Sequence, residues 1–466
     1  MKIHALISSF SRRCVLSSVM FLCLLTFAVS PVSADSHAGS SSGIAGQFLG
    51  LLGDDVDQQK ATLKILETQW HPGFVPMILE LYHIGNNPQL TRQLMDILRK
   101  KTGQTFGNNL DEWYRWIWRS PENRHPEYAE FKARLYELID PRFANYFSGI
   151  QSTDIRLDEV RWGGVMQDGI PPLRSPKMIP ASQAGYLGDT DVVFGVSVNG
   201  DERAYPKRIL AWHEMFTDTI GGTDFAGVYC TLCGSVVLYE TRHKGKSYQL
   251  GTSGFLYRSN KLMYDKGTQS LWSTTWGKPV IGALVGKGIE LGQDAVVTTT
   301  WGEWKRRHPE STVLSLDTGY ERNYGEGVAY QDYFATQKLM FAVPETDGRL
   351  QNKDEVLALS FPGVADTLAI DANYLKKNSV HNDKVGSQAL VVLTDASGAN
   401  RVYDSGGIQF KSYDADKQVM DVQGNTWAVG EDALTGANGQ KLKRLAARRA
   451  FWFGWYAAYN DTRLVK

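Results

Sequence analysis

The spacing of apolar residues divides the chain into a helical part and a later part rich in short strands. From about 47 to 148, apolar residues recur three or four positions apart, with Gly, Pro or Asn between the periodic segments. This spacing places apolar side chains on one face of a helix, so it predicts amphipathic helices. After about 150 the apolar runs become short, and Gly and Asn or Asp turns separate them. That pattern predicts strands.

The helical pattern is clearest in four segments, DQQKATLKILETQW, GFVPMILELYHIG, PQLTRQLMDILRKKTG and NLDEWYRWIWRS. Their tight connections predict antiparallel stacked pairs. The stretch 47–148 resembles HEAT-like helical repeats, which stack short helix pairs and bind partners through extended surfaces. We therefore expect a small helical domain without chemistry of its own, and a protein partner that binds to its surface.

The remainder of the chain predicts a mainly β structure interrupted by a few helices. In SVNGDERAY, Asn199-Gly200 between two strand-like runs is a strong hairpin signal. Helices are predicted over 207–218 and 301–308. The fold class that follows is α+β, with a small α-helical, HEAT-like N-terminal domain before the β-rich region.

An internal repeat organises the β-rich region. Sequence blocks in 190–316 recur in the same order in 355–466, which indicates two copies of one β-rich unit. Each copy also carries two tryptophans at the same spacing, Trp301 and Trp304 in the first and Trp452 and Trp455 in the second. We therefore predict a first repeat over 149–330 and a second, diverged repeat over 331–466.

The first 34 residues have the pattern of a cleavable signal peptide, with a basic start, a short apolar core and small residues at 32–34. An uncleaved anchor is the alternative. Arg12 and Arg13 resemble a weak twin-arginine signal, so export in the folded state and ordinary secretion both stay open. Residues 35–46 are predicted to be a flexible linker. The mature protein is expected to be periplasmic or secreted, with no transmembrane span.

The charge balance gives no argument for two classes of partner. Lys plus Arg and Asp plus Glu both total 50, so the formal net charge is zero. A chain without excess positive charge has no electrostatic basis for binding nucleic acid or an anionic membrane surface as its main partner.

The candidate chemistry lies in VYCTLCGSVV, residues 228–237. After leader removal, Cys230 and Cys233 are the only cysteines expected to remain. An exported pair of this spacing has three options, namely a disulfide, a redox couple or a metal site. Strand-like runs flank the pair, unlike the helix start that carries the C-x-x-C of thioredoxin-like enzymes. The turn C-x-x-C-G instead has the shape of a metal-binding knuckle, in which Gly234 allows backbone N–H groups to approach the sulfurs.

One knuckle supplies two ligands, whereas zinc normally needs four. Cu(I) prefers soft ligands and accepts low coordination numbers, so copper is the first metal expected at this site and zinc the second. His213 and Met215 in AWHEM are the nearest additional ligands by sequence. The second copy keeps the corresponding strand, roughly QALVVLT, without cysteines. Strand packing therefore does not need the thiols.

A second group of polar residues predicts either a ligand pocket or a hydrogen-bonded turn system. Its members are Ser253, Tyr257, Arg258, Asn260 and Asp265, in GTSGFLYRSNKLMYD, together with Asp168 in the extended stretch 165–181.

Long ordered motifs give the region from about 155 to the C-terminus a resemblance to a known family. RWGGVMQDGIPPLRSPKMI, RAYPKRILAWHEMFTDTIGG, VYCTLCGSVVLYE and TTWGEWKRRHPESTVLS resemble the DUF3179 family of exported bacterial and archaeal proteins. That family usually has Pro after the first cysteine, where this chain has Thr231. The resemblance implies the domain but no reaction.

The sequence therefore leaves three functions open. The first is a thiol-centred metal site built from Cys230 and Cys233. The second is a thiol–disulfide oxidoreductase that uses the same two residues, and the third is a ligand-binding module with a structural disulfide. Whether the protein is an enzyme stays open at this point.

Overall fold

The computed structural model describes residues 43–150 and 152–466. Within this part the chain forms two compact units. One extends to Val160 and includes Ile281–Ala283, and the other comprises Arg161–Val280 and Leu284–Lys466. A helical N-terminal region followed by a mainly β region confirms the α+β prediction. The predicted signal peptide and most of the predicted linker lie outside the described residues.

The described part of the first unit is built from short helices. They are α1 Ile44–Gly50, α2 Val56–Thr68, α3 Phe74–Ile84, α4 Pro88–Thr102, α5 Leu110–Trp118, α6 Tyr128–Glu137 and α7 Ala144–Phe147, with 3-10 turns at Pro141–Phe143 and Leu157–Glu159. The four predicted helical segments correspond to α2–α5. Helix α1 begins at Ile44, within the segment 35–46 that was predicted to be a flexible linker. Burial of Ala45 and Phe48 favours an ordered helix here.

Side-chain caps explain where several of these helices begin. The carboxylate of Asp55 accepts hydrogen bonds from the backbone N–H groups of Asp57 and Gln58 at the start of α2. The side chain of Asn87 caps α4 in the same way, with proline in the first turn. Each cap satisfies N–H groups that have no partner within the helix. The HEAT-like arrangement and the protein partner stay predictions.

The first part of the β-rich region contains seventeen of the described strands and two helices. They are β1 Val160–Trp162, β2 Leu173–Arg174, β3 Met178–Pro180, β4 Val192–Val198, β5 Asp201–Pro206, α8 Lys207–His213, β6 Met215–Ile220, β7 Thr223–Cys230, β8 Ser235–Glu240, β9 Arg242–His243, β10 Lys246–Ser247, β11 Leu250–Tyr257, β12 Asn260–Asp265, β13 Leu271–Ser273, β14 Pro279–Ile281, β15 Gln293–Asp294, β16 Val297–Thr300, α9 Trp301–Arg307 and β17 Thr312–Leu314.

The second part repeats this alternation of strands and short helices. Its elements are α10 Gln331–Phe334, β18 Glu355–Leu359, β19 Leu368–Asp371, α11 Ala372–Lys377, β20 Val380–Val385, β21 Gln388–Thr394, β22 Asn400–Asp404, β23 Phe410–Tyr413, β24 Gln418–Asp421, β25 Thr426–Val429, β26 Ala433–Gly436, β27 Lys441–Lys443, β28 Arg448–Phe451, α12 Trp452–Ala458 and β29 Arg463–Val465.

Seven strands of the first part pair in the same way as seven strands of the second. Strand β4 pairs antiparallel with β5 and β16, and β5 pairs parallel with β17. Strand β18 likewise pairs antiparallel with β19 and β28, and β19 pairs parallel with β29. Next along the chain, β6–β7–β8 and β20–β21–β22 both form antiparallel meanders. This shared topology supports the predicted duplication.

The paired tryptophans occupy equivalent positions in the two copies. Trp304 donates its indole N–H to the hydroxyl of Ser311, and Trp455 donates to the hydroxyl of Thr462. All four tryptophans of the two pairs are fully buried. The conserved spacing therefore reflects two equivalent core positions behind the central sheet of each copy.

A long connection, residues 315–354, separates the last strand of the first copy from the first strand of the second. It begins after β17 and ends before β18, and among its residues only α10 is helical. We call residues 315–354 the strap. Irregular connections of this length are uncommon in compact domains and are often functional.

A glycine in β7 accommodates an aromatic stack beneath it. A Cβ atom added at Gly227 would overlap the ring of Phe216, its partner on β6. That ring cannot move aside freely, because it stacks on Tyr205 with 3.7 Å between the ring centroids.

We therefore expect Gly227→Ala to lower the free energy of unfolding by about 1–3 kcal/mol, as overpacking of a rigid core does. Denaturant unfolding measures this change. Gly185→Ala is the matched control, since a Cβ at Gly185 would meet no atom within 4 Å. Equal stability of the two variants would contradict the prediction.

Within the described residues, no helix combines the length and the apolar character that crossing a bilayer requires.

Candidate functional site

The two cysteines lie at the tip of the hairpin formed by β7 and β8. Cys230 is the last residue of β7 and faces Ser235 across the ladder, so Thr231–Gly234 form the turn. Gly234 has a φ of 62°, a left-handed conformation that glycine adopts without strain. The turn brings the two Cα atoms to 5.3 Å and the sulfur atoms to disulfide distance.

The sulfur atoms are enclosed by apolar side chains. Cys230 is 3% exposed and Cys233 is 1% exposed. Most of the apolar side chains that pack with the two cysteines come from the strap and the second copy. They are Tyr330, Tyr333, Phe334, Leu339, Phe341, Val343, Phe451, Phe453 and Ala457, and we call them the cover. A thiol from solvent therefore reaches the cysteines only when this cover opens.

A buried ion pair lies next to the turn. Glu214 follows α8 with a φ of 55°, which directs the chain into β6. One oxygen of its carboxylate accepts a hydrogen bond from Lys261 Nζ on β12 at 2.5 Å, and the other accepts from Thr231 Oγ1 at 3.0 Å. Because Thr231 lies between the two cysteines, the carboxylate is tied to the C-x-x-C turn itself.

The strap completes this polar group. The hydroxyl of Tyr330 donates to the same Glu214 oxygen as Thr231, at 3.2 Å. Burial lowers the pKa of Lys261, and the neighbouring carboxylate of Glu214 offsets part of that effect. Burial, together with the charge of Glu214, raises the pKa of Tyr330 well above its ordinary value. Lys261 therefore gives up its proton more readily than an exposed lysine does.

On its other side the turn contacts the hairpin between β11 and β12. The sulfur of Cys233 lies 3.3 Å from the carbonyl oxygen of Ser259. Ser259 has a φ of 63°, and its hydroxyl donates to the carbonyl of Phe341 in the strap at 3.1 Å. A reduced Cys233 would thus have an acceptor for its S–H group in place.

The structure places the two additional predicted ligands elsewhere. His213 is fully buried, and its Nδ1 and Nε2 atoms bond to Pro171 O and the Tyr324 hydroxyl at 2.9 and 2.6 Å. Met215 packs in a separate apolar cluster with Val228 and Trp272. Among the described residues, no group of three His, Cys, Asp or Glu side chains could hold a metal ion. Copper or zinc binding therefore stays a prediction that rests on the two sulfurs.

The predicted pocket residues bond mostly to their own hairpin and its neighbours. Ser253 Oγ donates to Leu262 O at 2.6 Å, and the amide of Asn260 donates to Arg258 O and Gly454 O. Asp265 accepts from Thr268 and from the indole N–H of Trp272.

The other three predicted pocket residues also have hydrogen-bond or ring partners. Asp168 accepts hydrogen bonds from Thr252 N and the Tyr264 hydroxyl. The guanidinium of Arg258 lies over the ring of Tyr257 and donates to Ala457 O. This arrangement corresponds to the hydrogen-bonded turn system that the sequence left open beside a pocket.

The second copy closes the equivalent turn without sulfur. Tyr229 N donates to Glu214 O in the first copy, and Thr394 N donates to Ser379 O in the second, so Asp395 corresponds to Cys230. The carboxylate of Asp395 accepts from Ser397 and Ala399 within the turn and from Arg401 on β22. The fold therefore permits a hydrogen-bonded closure at this position.

Sequence reasoning missed Glu214, Lys261 and Tyr330. Glu214 stands between His213 and Met215 in AWHEM, and Lys261 directly precedes the apolar run LMY of β12. Neither position carries a pattern that distinguishes it from an ordinary charged residue at the end of an element. Their pairing could not be found from sequence, because Glu214 and Lys261 are 47 positions apart.

Comparison with curated proteins and comparison with solved structures each find no match for the chain. The family model described as protein of unknown function (DUF3179) matches residues 167–462, which include both β-rich copies and the C-x-x-C turn. Since the match covers more than half of the chain, the protein belongs to the DUF3179 family.

Proposed function

We propose that Cys230 and Cys233 form a thiol–disulfide redox couple that the strap shields from solvent. The observation that carries this proposal is the position of the sulfurs at disulfide distance in a turn tied to a buried Glu214–Lys261 pair. The second copy closes the equivalent turn with Asp395 and without sulfur, so closing this turn does not require the two cysteines.

The length of the enclosed loop argues in the same direction. A disulfide stabilises mainly by restricting the unfolded chain, and a loop of this size gives only about 2 kcal/mol. So small a contribution to stability favours a chemical role for the cysteine pair over a purely structural one.

The reaction is exchange with a dithiol partner. A partner thiolate attacks one sulfur of the Cys230–Cys233 disulfide, the S–S bond breaks, and the released cysteine leaves as a thiolate. The second partner thiolate then attacks the mixed disulfide and releases the other cysteine. The partner loses two electrons and two protons, and Cys230 and Cys233 gain them as two thiols. Lys261 bonds to the same Glu214 carboxylate as Thr231, so its ammonium group is tied to the turn through that carboxylate.

Redox titration tests the proposal. We expect the purified protein to equilibrate reversibly with glutathione or dithiothreitol buffers as one two-electron couple, with a potential above about −300 mV. A lower potential, or a disulfide that resists reduction in the folded protein, would leave a structural staple as the function. Copper or zinc that co-purifies with the protein and is lost in Cys230→Ser would favour the metal site instead.

The double variant Cys230→Ala/Cys233→Ala separates chemistry from stabilisation. We expect it to fold and to lose only about 2 kcal/mol of unfolding free energy, because the disulfide closes a short loop. Urea unfolding, compared with that of the oxidised wild type, gives the difference. A loss above about 5 kcal/mol would exceed the range for disulfides and would indicate a role in holding the fold together.

A further inference from the structure

A second candidate site lies on the β-rich unit, in a cleft where the strap begins. The cleft has a volume of about 740 Å³ and is lined by strap residues together with Tyr186 and Arg208. A cleft of this size falls within the range that holds small organic ligands. The polar candidates that the sequence singled out do not line it.

A directed hydrogen-bond chain forms the rigid wall of the cleft. The carbonyl of Pro171 can only accept a hydrogen bond, so Nδ1 of His213 carries the proton and donates at 2.9 Å. Burial lowers the pKa of His213, so the ring is neutral near pH 7 and Nε2 accepts from the Tyr324 hydroxyl, at 2.6 Å. The Tyr324 oxygen is consequently free to accept from Thr318 Oγ1, at 2.7 Å. This chain fixes the orientation of the Tyr324 ring, so the wall is formed before any ligand arrives.

Exposed apolar surface lies in front of this wall. Tyr320 and Leu316 are each 42% exposed, although both have large apolar side chains. The ring of Tyr320 lies 5.2 Å from the buried ring of His213, measured between centroids. An aromatic face held at the mouth of a cleft is a platform on which the C–H surface of a ligand can pack.

The cleft has no excess of positive charge. The guanidinium of Arg208 already bonds to Asp191 at 2.6 Å, Glu326 at 3.0 Å and Tyr186 O at 3.0 Å. The exposed pair Glu321 and Arg322, which also lines the cleft, carries one negative and one positive charge. An anion would find no unpaired cluster of cations, and a cation would find no unpaired cluster of carboxylates.

We propose that this cleft binds a neutral polyhydroxylated ligand, namely a saccharide. Sugar rings offer a C–H face that packs on an aromatic side chain and hydroxyls that both donate and accept hydrogen bonds. Tyr320 supplies the platform, and the carboxylate, guanidinium and amide of Glu321, Arg322 and Asn323 supply acceptors and donors at the edge. The proposal does not depend on thiol chemistry, because none of these groups touches the cysteines.

Isothermal titration of the full-length mature protein with maltotriose, cellotriose and chitotriose tests the proposal, with glucose 6-phosphate as the charged probe. We expect at least one of the three neutral sugars to bind, with an affinity that does not change between 50 and about 500 mM salt, because no ion pair forms. Tyr320→Ala is expected to weaken binding at least tenfold. Val422→Ala, another exposed apolar residue on the same unit, is the control and should bind as the wild type does.

Three results would overturn the proposal. They are tighter, salt-sensitive binding of glucose 6-phosphate, binding that Tyr320→Ala leaves unchanged, and no binding of any of the three neutral sugars. Because Tyr320 is exposed, Tyr320→Ala should keep the fold, and circular dichroism verifies this. The double cysteine variant should bind sugar as the wild type does, so a failure of the redox proposal would not be mistaken for a failure here.

Discussion

Glu214→Gln is expected to lower the free energy of unfolding by about 3–5 kcal/mol, the usual loss when one partner of a buried ion pair is removed. The reason lies in Lys261, whose ammonium group is buried and donates to the Glu214 carboxylate at 2.5 Å. Glutamine keeps the size of the side chain and one acceptor oxygen but leaves the lysine charge without compensation. Equilibrium unfolding in urea measures the loss.

Two further variants show whether the loss comes from the unpaired charge. In Glu214→Gln/Lys261→Met neither charge is present, so the double variant should be more stable than Glu214→Gln alone. Asp317→Asn is the surface control, because Asp317 and Lys177 form an exposed ion pair at 2.9 Å, and such pairs contribute about 0–1 kcal/mol. Additive effects in the double variant would contradict the assignment of Glu214 and Lys261 as one coupled pair.

The overall architecture could be predicted from the sequence, because it depends on local patterns of apolar spacing and turn residues. The Asn199-Gly200 signal predicted a hairpin, and β4 and β5 form one, with φ values of 50° and 81° at these two residues. Helical spacing predicted α2 to α5 for the same reason. Short segments such as α1 and α7 were missed, because seven or four residues contain too few turns for a period to emerge.

Only part of the candidate site could be predicted from the sequence. Two cysteines at this spacing predict proximity by themselves, and the structure brings their sulfurs together. What surrounds them comes from distant parts of the chain, namely Lys261 on β12, Tyr330 in the strap and Phe451 of the second copy. The strap has no helical or strand period, so nothing in its sequence indicates what it covers.

The same limit applies to the surroundings of the two residues predicted as additional metal ligands. His213 and Met215 flank Glu214, yet the left-handed conformation at Glu214 ends α8 and begins β6 at this point. The three side chains consequently diverge. His213 bonds to Tyr324, Met215 packs behind the sheet, and Glu214 alone contacts the C-x-x-C turn.

Tyr333→Ala is expected to accelerate reduction of the Cys230–Cys233 disulfide by about 100-fold or more. Tyr333 covers the cysteines and donates its hydroxyl to the carbonyl of Leu232, between them, at 2.8 Å. Truncating a buried aromatic side chain costs about 3–5 kcal/mol, and each 1.4 kcal/mol in an opening equilibrium is about tenfold in the exposed population. Dithiothreitol in excess at fixed pH, with timed trapping of free thiols, measures the rate.

The denaturant dependence of that rate distinguishes local opening of the strap from global unfolding. Local opening exposes little surface, so the rate should rise only weakly with urea, whereas reduction through the unfolded state would follow the full unfolding slope. Met340→Ala is the control in the same strap, since Met340 is exposed and should leave the rate unchanged. A rate equal in wild type and Tyr333→Ala, or one that tracks global unfolding in both, would mean that the strap does not gate the disulfide. Reduction that tracks global unfolding would also mean that the cysteines are inert in the folded protein and that the redox function has no route to its partner.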